Sequence, residues 1–188
     1  MCISVLDSYL ESYQHHLKTV SDISVDDSNN NVSCCESDIL TYSFDDIVKE
    51  FCDKLDVEVI ASVDAISFYD GWLNLIEFKN SSCSGRKTQF GLKRKFNDTI
   101  RYFERIVLNK CFLDQTDIQT RIILVFNPDH SDGYNDIKNG LNKCAKRLPA
   151  DKLNTLRQYC GLLQLCNEFK ILYSNEFLED INKYIQTE

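Results

Sequence analysis

Apolar residues recur every three to four positions in several parts of the chain, which is the periodicity of amphipathic helices. The N-terminal stretch, residues 3–20, has this pattern. A second helix is predicted to begin after the N-cap Ser43, and a third to cover residues 89–109. The predicted buried stripe of the third helix consists of Leu92, Phe96, Ile100, Phe103 and Val107. Three shorter helices are predicted over residues 134–147, 151–160 and 176–185.

Strands are predicted where the apolar residues become continuous or alternate. Two such runs, residues 57–68 and 72–79, are separated by Asp70-Gly71, a dipeptide that favours a tight β-hairpin turn. Residues 121–126, RIILVF, have the pattern of a strand that is buried on both faces. Residues 169–173 complete the set of predicted strands.

The order of these elements indicates the fold class. Helices follow both the hairpin and the RIILVF strand, so we expect helices on both faces of one mixed sheet, a three-layer α/β/α fold. We expect a single domain over residues 1–188 with three parts. Residues 1–42 are predicted to be a helix and a mobile acidic loop appended to the fold, residues 43–127 its core, and residues 128–188 C-terminal helices and a strand.

The register of the hairpin brings three charged residues to one face. A two-residue turn at Asp70-Gly71 places Asp64 opposite Glu77, and a four-residue loop keeps that register. Side chains alternate along a strand, so Lys79 shares the face of Glu77. Opposed carboxylates lie roughly 5 Å apart at Cβ and repel each other. An otherwise apolar sheet therefore favours this pair only if a cation lies between the two acids.

Composition and charge restrict the function classes. The chain of 188 residues is 43% hydrophobic, has a net charge of −8 and contains nine cysteines. It has neither an apolar run of membrane-spanning length nor a basic, signal-like N-terminus, so we expect a cytoplasmic protein with reduced thiols in its core and no membrane partner. No Cys-x-x-Cys pair, P-loop, dinucleotide-binding glycine motif or hydrolase elbow is present.

Charge is distributed unevenly. Residues 1–60 carry thirteen acidic and three basic side chains, whereas residues 86–110 carry eight basic and two acidic ones. Lys87, Arg94, Arg101 and Arg105 fall close together on the polar side of the third helix. A basic surface of this kind, in a protein that is acidic overall, is typical of a local phosphate-binding face.

With Asp64, Glu77-Phe78-Lys79 and the helix–hairpin–helix–strand order, the chain resembles the PD-(D/E)XK nuclease superfamily, which has the restriction-endonuclease-like fold. The resemblance covers residues 43–127, with Val63 where the signature has proline. It implies catalytic roles for Asp64, Glu77 and Lys79, and a Mg²⁺ or Mn²⁺ ion held by Asp64, Glu77 and the backbone carbonyl of Phe78. It also implies a metal-ligating acid on the preceding helix, for which Glu50 is the first candidate and Asp46 the second.

The resemblance implies metal-dependent hydrolysis of phosphodiester bonds, with DNA as the first candidate substrate and RNA as the second. Phosphate groups would be bound near the start of the third helix, by Lys87, Gln89, Lys93, Arg94 and Arg101. The alternative is a catalytically silent nuclease-like fold that serves as a protein-interaction or assembly module. In that reading Glu77 and Lys79 are an ordinary exposed i,i+2 pair on an edge strand, and the basic stripe is a solvated helix face. The N-terminal helix is a candidate for docking a protein partner or a second copy of the chain.

Overall fold

A six-stranded mixed sheet is the centre of the protein. The computed structural model describes residues 2–26, 32–80, 86–108, 118–127, 156, 158–160 and 163–185. In spatial order the strands are β1 (Leu17–Thr19), β4 (Leu40–Ser43), β5 (Ala65–Tyr69), β6 (Trp72–Lys79), β7 (Gln119–Phe126) and β8 (Glu168–Tyr173). Neighbours from β1 to β6 are antiparallel, whereas β6, β7 and β8 are parallel. Strands β2 (Val25–Asp26) and β3 (Val32–Ser33) form a separate two-stranded ribbon.

Helices pack on both faces of the sheet. They are α1 (Cys2–Glu11), α2 (Val20–Ile23), α3 (Phe44–Leu55), α4 (Arg86–Tyr102) with a π-helical extension (Phe103–Leu108), and α5 (Ser174–Glu179), with 3-10 turns at Gln14–His16 and Ile181–Lys183. Along β6, Leu73 and Leu75 pack with α1, α3 and α4, whereas Ile76 and Phe78 pack with the segment that contains α5. The expected α/β architecture, with helices around a mixed sheet, is confirmed at this level. No helix in the described part of the chain is long and apolar enough to cross a membrane.

The hairpin has the predicted register. Tyr69 pairs with Trp72 and Ala65 with Ile76, so the next positions along the two strands are Asp64 and Glu77. Asp70 and Gly71 both have positive φ, 51° and 78°, as a tight two-residue turn between twisted strands requires. The strand predicted at residues 57–68 is shorter than expected, because residues 57–63 are not paired and β5 begins at Ala65. The sheet position beside β5 is taken by β4, which precedes α3 in the chain.

The N-terminal region differs from its prediction. Helix α1 ends at Glu11, and residues 17–19 of the predicted helix instead form the edge strand β1 against β4. Leu6 and Leu10 are buried in the main core, and Cys34 and Cys35 are buried on the opposite face of the sheet. The described parts of residues 1–42 are therefore packed into the fold and are not an appendage.

The remaining predictions are confirmed, differ at their boundaries, or fall outside the described residues. All five residues of the predicted stripe on α4 are buried, and β7 is buried from Arg121 to Phe126 between its two parallel neighbours. The helix predicted at residues 134–147 lies outside the described residues, as does most of 151–160. The C-terminal helix starts earlier than predicted, at Ser174, and gives way to a 3-10 turn after Glu179. Cys34, Cys35, Cys52 and Cys160 are buried, Cys166 is partly buried, and these five are free thiols.

Candidate functional site

The hairpin places Asp64, Glu77 and Lys79 in one charged cluster, as the register predicted. Glu77 lies near the end of β6, and its side chain is completely buried. Lys79 Nζ lies 2.6 Å from Glu77 Oε1, which shows that the two side chains share a face of β6. Asp64 lies just before β5, where its Oδ2 accepts a hydrogen bond of 2.6 Å from the backbone N–H of Phe78. This bond links the two strands at the place where the acids face each other.

A second lysine, Lys95 of α4, lies between the two acids. Its Nζ is 2.9 Å from Asp64 Oδ1 and 3.0 Å from Glu77 Oε2. Among the predicted residues, Lys95 appears only as one of the eight basic side chains of residues 86–110. A signal was available, because Lys95 lies three residues after Leu92 and four before Thr99, and both of those residues are buried. This spacing puts Lys95 on the inner side of α4 rather than on its solvated side.

The acid that α3 contributes is Asp45. Its Oδ1 accepts a hydrogen bond from the Ser62 hydroxyl, and the charges of Lys95 and Asp64 act on its carboxylate. The Asp45 side chain is open to solvent on one side. Its pKa is nevertheless raised, because partial desolvation by the surrounding protein outweighs the opposing effect of Lys95. The cluster is therefore closed to solvent at Glu77 and accessible to solvent at Asp45.

Burial and charge shift the ionisation of the cluster. Desolvation, reinforced by the neighbouring Asp64, raises the pKa of Glu77 to about 7. Burial alone would lower the pKa of Lys79 and of Lys95, but the attraction of Glu77 and Asp64 is stronger and raises the pKa of both. Both lysines are consequently charged at neutral pH. Glu77 is the group of this cluster whose pKa lies near neutral pH.

Two acids of the cluster offer ligands for a hard divalent cation. Asp64 and Glu77 carry carboxylate oxygens, which Mg²⁺ and Mn²⁺ prefer. Among the described residues, Asp45, Asp64 and Glu77 do not bring three ligand atoms within 4.8 Å of one another, so Asp45 lies beside this pair. Glu77 Oε1 is buried and makes no well-aligned hydrogen bond, although Lys79 Nζ at 2.6 Å and Lys95 Nζ at 3.0 Å neutralise it through space. A metal ion at this oxygen would take the place of at least one of these ammonium contacts. With three acids and two ammonium groups, the cluster also has one negative charge in excess when all five are ionised.

The structure does not bring Glu50 or Asp46 to this cluster. Glu50 is five residues after Asp45, about 140° further around the helix, and its carboxylate contacts His15 and His16. The carboxylate of Asp46 accepts a hydrogen bond from Ser43 and forms an ion pair of 2.7 Å with Lys18. Of the three acids Asp45, Asp46 and Glu50 of α3, Asp45 is the one that interacts with Lys95 and Asp64.

The predicted phosphate-binding residues have different environments. Lys87, Arg94 and Arg101 are exposed on α4, and Arg94 also contacts Asp98 at 3.4 Å. Lys93 packs its ammonium 5.0 Å from the ring centre of Tyr159, and Gln89 is half-buried. The side chain of Phe78 points to the opposite face of the sheet, where it meets Phe177, so only its backbone is near the acids.

Comparison of the chain with protein-family models, curated proteins and solved structures found no match. Functional assignment therefore depends on the chemistry of the chain's own residues.

Proposed function

We propose that the protein is a metal-dependent phosphodiesterase of the PD-(D/E)XK type that cleaves DNA. The observation that supports this proposal best is the convergence of Asp64, Glu77 and Lys79 at one end of the hairpin, with an acid from α3 beside them. Proximity in the sequence does not explain this convergence, because the residues come from α3, from the position just before β5 and from β6. A structural ion pair alone would not need three carboxylates.

Asp64 and Glu77 would hold the divalent ion, with Asp45 and the backbone of Phe78 adjacent. When bound, Mg²⁺ or Mn²⁺ supplies charge stabilisation at a phosphate oxygen and a lowered pKa of bound water. Lys79 keeps a quarter of its side chain exposed and is an ammonium at neutral pH, because its pKa is raised. It therefore suits the stabilisation of negative charge on phosphate better than the removal of a proton.

Helix α4 provides a surface for the nucleic acid backbone. Lys87, Arg94 and Arg101 follow one another at seven-residue spacing and so share a face of the helix. Phe90, which is 72% exposed, lies three residues after Lys87 on that side. An exposed aromatic ring among cationic side chains suits contact with the sugars and bases of a strand whose phosphates the cations hold.

One observation favours a second candidate, a nuclease-like fold that serves as an assembly module without catalysis. The Lys95 ammonium already lies between Asp64 and Glu77, where a divalent ion would compensate their charge. If this ion pair is permanent, the cluster stabilises the fold and binds no metal. A Mn²⁺ titration separates the two candidates, because only the first predicts binding that is lost in Asp64→Asn and Glu77→Gln.

The test of catalysis is cleavage of plasmid and of end-labelled single- and double-stranded DNA in the presence of Mg²⁺ or Mn²⁺. We expect Glu77→Gln and Lys79→Ala each to reduce the rate by about 10²–10³-fold, the usual effect of losing one charge-stabilising group. Asp70→Asn, in the turn of the same hairpin, is the matched control and should keep full activity, since Asn also adopts positive φ. Cleavage that survives both site substitutions, with circular dichroism unchanged, would refute the proposal.

A further inference from the structure

A second group of metal-ligating side chains lies on the other side of α3, apart from the acids of the hairpin. His15 and His16, in the 3-10 turn Gln14–His16, direct their Nε2 atoms at the same carboxylate oxygen, Glu50 Oε2. The distances are 2.7 Å from His15 and 2.5 Å from His16. One potential ligand atom from each residue lies within 4.8 Å of the others, and in the part of the chain that the structure describes no other trio of His, Cys, Asp or Glu side chains does so.

The arrangement differs from an ordinary ion pair in its convergence. A single His–Glu pair would satisfy the carboxylate, yet two successive histidines turn the same ring nitrogen to it, with their ring centres 4.2 Å apart. The Tyr13 ring stacks on His16 at 6.2 Å and helps to fix its orientation. Three ligand atoms from two segments, 34 or 35 residues apart, thus point to one place at the surface.

The ligand types identify the class of metal. Two imidazoles and one carboxylate, with a fourth position open to water, are the set that Zn²⁺ uses in many three-ligand protein sites. Mg²⁺ and Ca²⁺ prefer all-oxygen sets and would not select two histidines. With zinc–ligand distances of about 2.0–2.1 Å, neighbouring ligands of a tetrahedral ion are roughly 3.3 Å apart, so each Nε2 would move away from Glu50 Oε2 by less than about 1 Å.

We propose that His15, His16 and Glu50 form a binding site for Zn²⁺ or a similar divalent transition metal, which clips the Gln14–His16 turn to α3. The ion would join the turn that leads into edge strand β1 to the helix that carries Asp45. Lys54 forms an ion pair with the other oxygen of Glu50, and its exposed side chain can leave without disturbing the fold. The site is independent of the proposed nuclease site, since it uses another face of α3 and another class of metal.

The test is a Zn²⁺ titration of chelator-treated protein, kept reduced, by calorimetry and by competition with a chromogenic chelator. We expect one equivalent to bind with nitrogen and oxygen ligation, and Co²⁺ to give d–d absorption without a thiolate charge-transfer band. His15→Ala, His16→Ala and Glu50→Gln should each weaken this binding by on the order of 100-fold or more, since even outer-shell changes cost 10–100-fold. The wild-type unfolding midpoint should rise with Zn²⁺, and that rise should vanish in the three variants.

Two matched controls keep all three ligands. His130→Ala removes the third histidine of the chain, and Lys54→Ala removes the other partner of Glu50; both variants should bind Zn²⁺ at least as tightly as the wild type. Absence of zinc binding in the wild type, binding retained in His15→Ala/His16→Ala, or a thiolate band with Co²⁺ would each overturn the proposal. Loss of Mn²⁺-dependent DNA cleavage in Glu77→Gln bears on the nuclease site alone, so the two proposals fail separately.

Discussion

Lys95 Nζ lies 3.0 Å from both carboxylate oxygens of Glu77, a buried acid that comes from another element of the fold. Glu77 is in the middle layer of the protein, on β6, and Lys95 is on the helix that covers it. Two carboxylates opposed in an apolar sheet, Asp64 and Glu77, require a cation between them. In the structure that cation is a side chain, and its replacement by a divalent ion is the central question for function.

Lys95→Met should destabilise the metal-free protein and make its stability depend on divalent ions. Removing one partner of a fully buried ion pair costs about 3–5 kcal/mol. We expect less here, because a quarter of the Lys95 side chain is exposed and Lys79 still compensates Glu77. Added Mn²⁺ should restore much of the free energy of unfolding, measured by urea denaturation. The wild type should respond less, because its ammonium competes with the ion.

The same experiment distinguishes the two functional candidates. If the cluster is only structural, Lys95→Met will lose stability and Mn²⁺ will not restore it. Arg94→Met, on the exposed side of the same helix, is the control, and its unfolding free energy should change by less than about 0.5 kcal/mol.

Glu77 should make the metal-free protein less stable as the pH rises from about 4.5 to 7. Burial raises the pKa of Glu77 to about 7 from its ordinary value of 4.5, so the folded state binds a proton in this range that the unfolded state releases. Stability then falls with rising pH, by at most about 3 kcal/mol. Glu77→Gln should remove this slope, and the difference between the two urea-denaturation profiles cancels the groups that both proteins share. Saturating Mn²⁺ should also flatten the wild-type profile, since a bound cation favours the ionised acid.

Asp45→Asn should weaken Mn²⁺ binding, whereas Asp46→Asn should not. Asp45 is beside Asp64 and Lys95, whereas Asp46 forms an ion pair with Lys18 on a different side of α3. We expect a loss of about 10–100-fold in affinity for Asp45→Asn, the range for groups that support or complete a metal site. Isothermal titration with both variants measures this, and equal affinities would show that α3 contributes no acid to the site.

Local signals explain which parts of the fold could be predicted from the sequence. The hairpin register depends only on Asp70-Gly71 and on alternation along two adjacent strands, so Asp64, Glu77 and Lys79 could be assigned to one face. Likewise, the buried stripe on α4 could be predicted from the helical spacing of apolar residues within that one segment. These features require no knowledge of distant residues.

Features that depend on long-range packing could not be predicted in this way. Strand β4 is four residues long and gains its place in the sheet only by pairing with β1 and β5, which lie on opposite sides of it in the sequence. Asp45 and Glu50 are both acids of α3 on different faces, and only the docking of that helix decides which one meets the hairpin. The resemblance supplied a role for an acid on this helix, but not the identity of the residue.

Replacing Gly71 by Ala should destabilise the protein, whereas replacing Gly91 by Ala should stabilise it. The Gly71 variant tests whether the hairpin turn is as tight as the register requires. Gly71 has φ +78° in open space, so Gly71→Ala adds no clash but forces an L-residue into a left-handed conformation, which costs about 1–2 kcal/mol. Gly91 lies inside α4 without positive φ and with nothing within 4 Å of an added Cβ, so Gly91→Ala should stabilise the protein by about 1 kcal/mol. Urea denaturation of both variants provides the measurement. If Gly71→Ala were neutral, the turn would have another conformation, and the alignment of Asp64 with Glu77 would lose its local support.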